Sequence, residues 1–267
     1  MEPLLPGALH VGPPGWKHCA HGCGGLCRNR CLGELALLME REGDIAAVVA
    51  EPVRCTTVEE PPEGYWRSVR ELCDRHSALL IIDEIPLSLG RTGDWTACDT
   101  YGVEPDILVL GKGLGAGVFP LACMAARIEY DRFGHVALGH FTHEKTPLGC
   151  AAGLALLEVL EAEHLVSRSD ALGRKFRQRL LSDLAQNRGV RAVRGTGLLT
   201  GVELEAGNRT ADACEEILYG CLSDGLSFKV SDGRVLTLTP PLNILESELD
   251  EAAQIVASNV KKALGST

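Results

Sequence analysis

The chain has no cluster of lysine or arginine. Its 26 basic residues are scattered among 36 acidic ones, for a net charge of −10. This excludes the electrostatic footprint of a nucleic-acid binder and makes an anionic membrane surface a poor partner. No apolar run is long enough to span a bilayer: the longest uncharged stretch, residues 113–126, is short and broken by Gly and Pro. The opening Met1-Glu2-Pro3-Leu4-Leu5-Pro6 lacks the basic and apolar segments of a secretory signal. The 11 cysteines include no Cys-x-x-Cys pair, and no internal repeat of fixed period occurs. The expectation is a cytoplasmic protein with mostly reduced thiols and neither nucleic-acid nor membrane partners. At 267 residues, 45% hydrophobic and 23% charged, the chain has the size and composition of a soluble enzyme of one large domain or two ordinary ones.

What is present centres on residues 78–117. Ala78-Leu79-Leu80-Ile81-Ile82-Asp83-Glu84 and Ile107-Leu108-Val109-Leu110-Gly111-Lys112 are apolar runs that end in an ionisable residue. They read as two strands of a parallel sheet, covered on both faces, with a helix in the long connection between them. Ligands of open α/β sheets bind at the carboxyl edge of the strands, so Asp83 and Lys112 are candidates to face one crevice. The glycines after Lys112 permit close approach of a planar ligand to the main chain. Ile45–Ala50, ending in Glu51-Pro52, repeats the pattern of strand followed by acid, and Tyr65–His76 reads as the helix of a βαβ unit.

Elsewhere, Leu32–Glu42 suits an amphipathic helix, Pro120–Ala126 a strand, and Leu148–Leu165 a long helix closed and capped by His164. Helices at Ala171–Asn187, Asp212–Asp224 and Glu246–Leu264 alternate with strands at Leu198–Leu204, after an Arg194-Gly195-Thr196-Gly197 turn, and at Val235–Leu238. The fold class expected is α/β, a mostly parallel sheet flanked by helices, in a domain over 1–165, followed by a smaller C-terminal α+β domain over 166–267. Cys19, Cys23, Cys27 and Cys31, four apart, lie in a breaker-rich segment beside His18 and His21. Structural zinc sites use two short Cys pairs held apart by a longer spacer, so the cluster reads as free thiols and no metal is expected.

Glu51-Pro52-Val53, Ile82-Asp83-Glu84, Gly90-Arg91-Thr92-Gly93, Pro105-Asp106-Ile107, Gly111-Lys112-Gly113-Leu114-Gly115 and Pro147-Leu148 with Cys150-Ala151-Ala152 occur in an order and spacing that resemble one family. It is the class III aminotransferases, fold-type I enzymes dependent on pyridoxal 5'-phosphate (PLP). The resemblance runs from about Leu5 to near the end and is most specific between Ile45 and Leu160. It implies that Lys112 forms the Schiff base with the cofactor and carries protons between carbon atoms. It implies that Asp83 pairs with the pyridine nitrogen and keeps the ring an electron acceptor. Thr142 stands where the family has a threonine that reaches the cofactor phosphate of the neighbouring subunit, which implies a homodimer. Glu51 stands near the ring in a supporting role. The implied reaction is transamination between an amine or amino acid and a keto acid.

Two departures leave other reactions open. Ile85-Pro86 follows Asp83-Glu84 where the family commonly has Val-Gln, and Thr237 stands where it often sets an arginine for the substrate α-carboxylate. Glu51–Thr57 and Gly139–Thr146 resemble a divergent branch in which some relatives eliminate ammonia, so a PLP-dependent lyase is the competing expectation. Family members also carry roughly 150 further residues in front, the size of a domain, which hold the phosphate-cradling turn. The third expectation is therefore a catalytically silent relative.

Overall fold

The computed structural model describes residues 5–15, 30–136 and 146–265. Strands β1 (Ala47–Ala50), β2 (Leu79–Asp83) and β3 (Ile107–Leu110) run parallel, and β4 (Cys123–Ala126) closes the sheet antiparallel to β3. The anticipated strand at Pro120–Ala126 is thus confined to its second half. Helices α1 (Arg30–Glu42) and α2 (Tyr65–Arg75) turn Leu35, Met39, Trp66, Val69 and Leu72 onto Leu80 and Ile82, both fully buried. Each such aliphatic side chain contributes about 1.5–3 kcal/mol by leaving water. Trp66 also donates its indole N–H to the Pro52 carbonyl at 3.0 Å, which fixes the turn after β1.

Among the described residues these strands are covered on one face. Side chains alternate along a strand, so Val49, Ile81, Asp83, Val109 and Met124 share the opposite face by register. There Val49 is 65% and Met124 66% exposed. Asp83 therefore emerges on the open face, and its neighbour Glu84 on the covered one.

Asp106, just before β3, ties the amino ends of the sheet together. Its carboxylate accepts from Arg70 Nη1 at 2.6 Å, the Leu80 N–H at 2.7 Å and the Tyr130 hydroxyl at 2.9 Å. Burial alone would raise its pKa, but these donors outweigh it and hold the carboxyl below the usual carboxylate range. The stabilisation this provides is complete above the unfolded-state value of about 3.9 and is lost as pH falls through the lower folded value. Asp106→Asn should cost roughly 1–3 kcal/mol at neutral pH, shrinking toward zero in acid. Urea midpoints measured for both chains at neutral pH and below pH 4 check this.

Helix α4 (Pro147–Ala162) starts at the N-cap Thr146, whose hydroxyl accepts the Gly149 N–H at 3.1 Å. The expected continuous helix ending in a histidine cap is corrected here. Glu163 ends α4, and His164 adopts a left-handed φ of 53° with no side-chain capping bond. The chain then starts α5 (Leu165–Leu184), six residues earlier than the pattern indicated. Tertiary packing decides this point, since Leu160 and Leu165 on either side of the break bury together with Leu89 and Leu114.

The second sheet is antiparallel throughout, in the order β5 (Val190–Thr196), β6 (Leu199–Leu204), β8 (Val235–Leu238), β7 (Lys229–Ser231). Helices α5, α6 (Thr210–Ser223) and α7 (Glu246–Leu264) pack on it through Phe176, Leu180, Ile217, Leu236 and Val256. Sequence reading missed β5 and β7. Arg194-Gly195-Thr196 belongs to β5 rather than to a turn, and the turn itself is Gly197-Leu198. The arginines that obscured β5 find their partner across the strand pair, where Arg191 and Arg194 both meet the buried Glu203.

Candidate active site

Lys112 follows β3 after one residue and begins a 3-10 turn over Lys112–Gly115. Its φ is 43°, a left-handed conformation uncommon for a residue with a side chain, and such strain of about 1–3 kcal/mol gathers at functional positions. The turn is held by the Leu114 N–H on the Gly111 carbonyl at 3.0 Å, and Gly115 packs so closely on the Leu121 backbone that a Cβ there would lie 3.2 Å from its nitrogen. Lys112 is exposed on a crevice of about 720 Å³ whose walls include Ile85, Pro86, Leu156, Leu160, Thr237 and Leu242.

Asp83 pairs in register with Val109, three residues before Lys112, on the adjacent parallel strand. Both therefore leave the sheet at the same carboxyl edge, with Lys112 at most about 10 Å further along the strand direction. Asp83 Oδ1 accepts the Ile85 N–H at 3.0 Å, which braces the turn that brings Ile85 and Pro86 to the crevice wall. Glu84 is diverted to a different task. Fully buried, it accepts the N–H groups of Ala97 and Cys98 at 2.7 and 2.6 Å and so caps the short helix α3 (Ala97–Tyr101). Burial raises its pKa against the lowering effect of those bonds.

Glu51 and Asp83 do not line this crevice themselves; Glu51 reaches it through Cys55, whose N–H it accepts at 3.1 Å. Burial, reinforced by Glu51, pushes the Cys55 thiol up to about 11, while the ammonium groups of Lys112 and Lys229 act in the opposite direction. Two lysines from different sheets thus act on one thiol in the crevice wall. Thr142 lies outside the described residues, as do His18, Cys19, His21, Cys23 and Cys27, and no metal-binding group occurs among the described residues.

The Gly90-Arg91-Thr92-Gly93 loop joins the two sheets. Arg91 Nη1 donates to the carbonyls of Leu198 and Pro240 at 2.9 and 2.6 Å, and the Arg91 carbonyl accepts the Leu198 N–H at 3.0 Å. Thr196 Oγ1 donates to the Thr92 carbonyl at 3.0 Å. Gly197, at φ 49°, lies so close to the Arg91 carbonyl that any Cβ would collide with it. Burial lowers the Arg91 pKa to about 10. Sequence reading flagged this loop but not its partners. Thr237, flagged for what it is not, donates to the Thr56 carbonyl at 2.7 Å and lies 3.0 Å from Ser231 Oγ. Lys229 was missed entirely, because a three-residue strand carries little pattern.

A family model described as Aminotransferase class-III matches residues 19–260. An (R)-1-hydroxy-2-aminoethylphosphonate ammonia-lyase from Vibrio splendidus is 44% identical over 232 residues, 85% of this chain and 48% of that protein. Ornithine aminotransferase 2 from Staphylococcus aureus is 40% identical over 211 residues, 78% of this chain and 51% of that protein. Among solved structures, an (S)-enantioselective omega-transaminase from Thermomicrobium roseum superposes with a TM-score of 0.87 at 30% identity, over 98% of this chain and 62% of that one. A Bacillus anthracis aminotransferase gives 0.85 at 29%, over 98% and 63%. The chain spans about half the length of the curated relatives it matches. With the parallel sheet, its antiparallel edge strand and the separate antiparallel sheet all in place, the chain belongs to the class III aminotransferases, a family of PLP-dependent enzymes of fold type I.

Proposed function

We propose that this chain processes a small primary amine with PLP, and that the amino group leaves as ammonia. The described residues fit the ring end of the cofactor: a strained lysine with open space at the neighbouring Gly113, and a carboxylate that leaves the adjacent strand at the same edge of the sheet. Bound there, PLP supplies an aldehyde that condenses with amines and a protonated ring that accepts electrons. Lys112 would hold the cofactor through its Nζ and, when its amine is free, would take the proton from the substrate carbon. Asp83 would stabilise positive charge on the ring nitrogen, Glu51 would support it through Cys55, and the family resemblance assigns Thr142 to the phosphate held by a second subunit. On this reading residues 1–165 are part of the cofactor-binding domain and 166–267 the small domain. The enzyme is a cytoplasmic homodimer, for which the exposed apolar Leu148 and Leu154 of α4 are supporting observations. No described helix is long and apolar enough to cross a membrane.

The observation that carries elimination over transfer is the state of Thr237. Transfer requires a keto acid, whose planar carboxylate is best gripped by the two-pronged donor face of a guanidinium. Position 237 offers none, its hydroxyl being committed to Thr56 and Ser231. Arg91, the arginine in the crevice wall, already serves two carbonyls. Elimination needs no acceptor: the amine-bearing carbon loses a proton, a hydroxyl or ester oxygen leaves the neighbouring carbon, and water hydrolyses the resulting enamine to a carbonyl compound and ammonia. Transamination is the second reading, favoured by the similarity to ornithine aminotransferase. Ammonia release from a panel of aminoalkyl phosphonates, phosphates and carboxylates, with and without pyruvate or 2-oxoglutarate, decides between them. We expect release without keto acid; turnover strictly dependent on keto acid establishes transfer.

A further inference from the structure

We propose that Lys229 anchors a tetrahedral oxyanion, a phosphonate or phosphate ester, at the tail of the amine substrate. The inference rests on the crevice being the amine site. On β7, Lys229 pairs directly with Thr237 of β8, and Ser231 with Val235. Opposed residues of an antiparallel pair project from the same face with Cβ atoms about 4.5–5.5 Å apart. Lys229 and Thr237 accordingly both line the crevice. The positive charge absent from position 237 is thus supplied by its cross-strand neighbour.

The surroundings suit an anion. Thr237 commits its own hydroxyl to the Thr56 carbonyl, and no acidic partner of Lys229 occurs among the described residues. Thr56, in the same wall, has a buried Oγ1 without a hydrogen-bond partner, and Thr239 and Asn243 add further polar side chains. An ammonium is a compact charge with three rotatable donors, so it favours no plane. Together with hydroxyl and amide donors at other angles, it matches a tetrahedral group with three oxygens better than a flat carboxylate. Its longer, flexible stem also places the charge further from the strand than a threonine does, leaving room for the tail.

Titration calorimetry of the full chain with methylphosphonate, inorganic phosphate and acetate, with and without added PLP, tests this in wild type, Lys229→Met and Lys229→Arg. Wild type should bind methylphosphonate at least about tenfold more tightly than acetate, and Lys229→Met should lose about tenfold or more of that affinity. Lys229→Arg should retain anion binding while narrowing the gap to acetate, since its fork suits a planar group. The exposed position makes unfolding of either variant unexpected, and an unchanged thermal midpoint verifies it. The proposal is overturned if wild type shows no methylphosphonate binding, if Lys229→Met binds as wild type does, or if acetate binds equally well. It is also overturned if PLP displaces methylphosphonate and Lys229→Met no longer takes up PLP, since Lys229 would then hold the cofactor. Failure of the PLP reading looks different: no borohydride-sensitive visible absorbance in wild type, with anion binding intact.

Discussion

The Lys112→Ala chain is expected to lose its covalent link to PLP and to turn over at least on the order of 10⁴-fold more slowly than wild type. The fold should survive the change. Lys112 is exposed, and alanine at a φ of 43° carries a strain similar to that of lysine, so the unfolding midpoint should stay close to the original. Two consequences of the substitution can be separated, because the side chain supplies both a nucleophile and a charge. Removing the charge takes away one of the two ammonium groups that oppose the rise of the Cys55 pKa to about 11, so that pKa should climb further and alkylation of the thiol at fixed pH should slow. Lys112→Arg keeps the charge but substitutes a group that stays protonated and cannot attack an aldehyde. It should therefore match Lys112→Ala in lost turnover and, compared without PLP, match wild type in Cys55 reactivity. The measurements are visible absorbance before and after borohydride, single-turnover rates, and iodoacetamide kinetics across pH. Either variant retaining the borohydride-sensitive absorbance removes Lys112 from the role assigned to it.

Much of this arrangement is legible in the sequence because the decisive elements are local. The runs Leu79–Asp83 and Ile107–Leu110 are short, apolar and rich in branched residues, and their length and bounding residues favour strands. The Pro105-Asp106-Ile107 and Gly90-Arg91-Thr92-Gly93 stretches were visible as motifs, although their work was not. Asp106 gathers Arg70, Leu80 and Tyr130, up to 36 residues distant, and Arg91 reaches Pro240, 149 residues away. Those partners are set by topology, which local pattern does not contain. The same holds for β5, which reads in part as the Arg194-Gly195-Thr196-Gly197 turn until Glu203 is placed opposite Arg191 and Arg194. Strand β7 shows the limit most clearly. Three residues carry too little alternation to register, yet their pairing with β8 sets Lys229 against Thr237. The open face of the sheet was hidden for another reason: apolar runs report that a strand avoids water, not which chain covers it. The two neighbouring acids at 83 and 84 look equivalent in the sequence, and strand alternation alone sends Glu84 inward to cap α3 and leaves Asp83 outside.

That separation makes Asp83→Asn the sharpest test of the ring-nitrogen partner. Asparagine keeps a carbonyl oxygen where Asp83 Oδ1 receives the Ile85 N–H at 3.0 Å, so the turn carrying Ile85 and Pro86 into the crevice wall should persist. What disappears is the negative charge. A pyridine nitrogen facing a neutral amide on the sheet edge binds its proton less tightly than one facing a carboxylate, and the ring withdraws electrons less strongly when that proton is gone. The cost falls on the step in which the substrate carbon gives up its proton, and kcat should drop on the order of 10³-fold, about 4 kcal/mol of lost transition-state stabilisation. Cofactor uptake should weaken far less, and the urea midpoint should move by under about 0.5 kcal/mol, as for a substitution that breaks no buried pair. A merely structural acid would give the reverse pattern, with an altered midpoint and unaltered turnover per bound cofactor. Because Lys112 is untouched, the borohydride-sensitive absorbance persists in Asp83→Asn and counts the active centres, so the loss can be expressed per site. Wild-type turnover per site in this variant would mean that the carboxylate at 83 serves only to brace the turn, and the ring nitrogen would need a different partner.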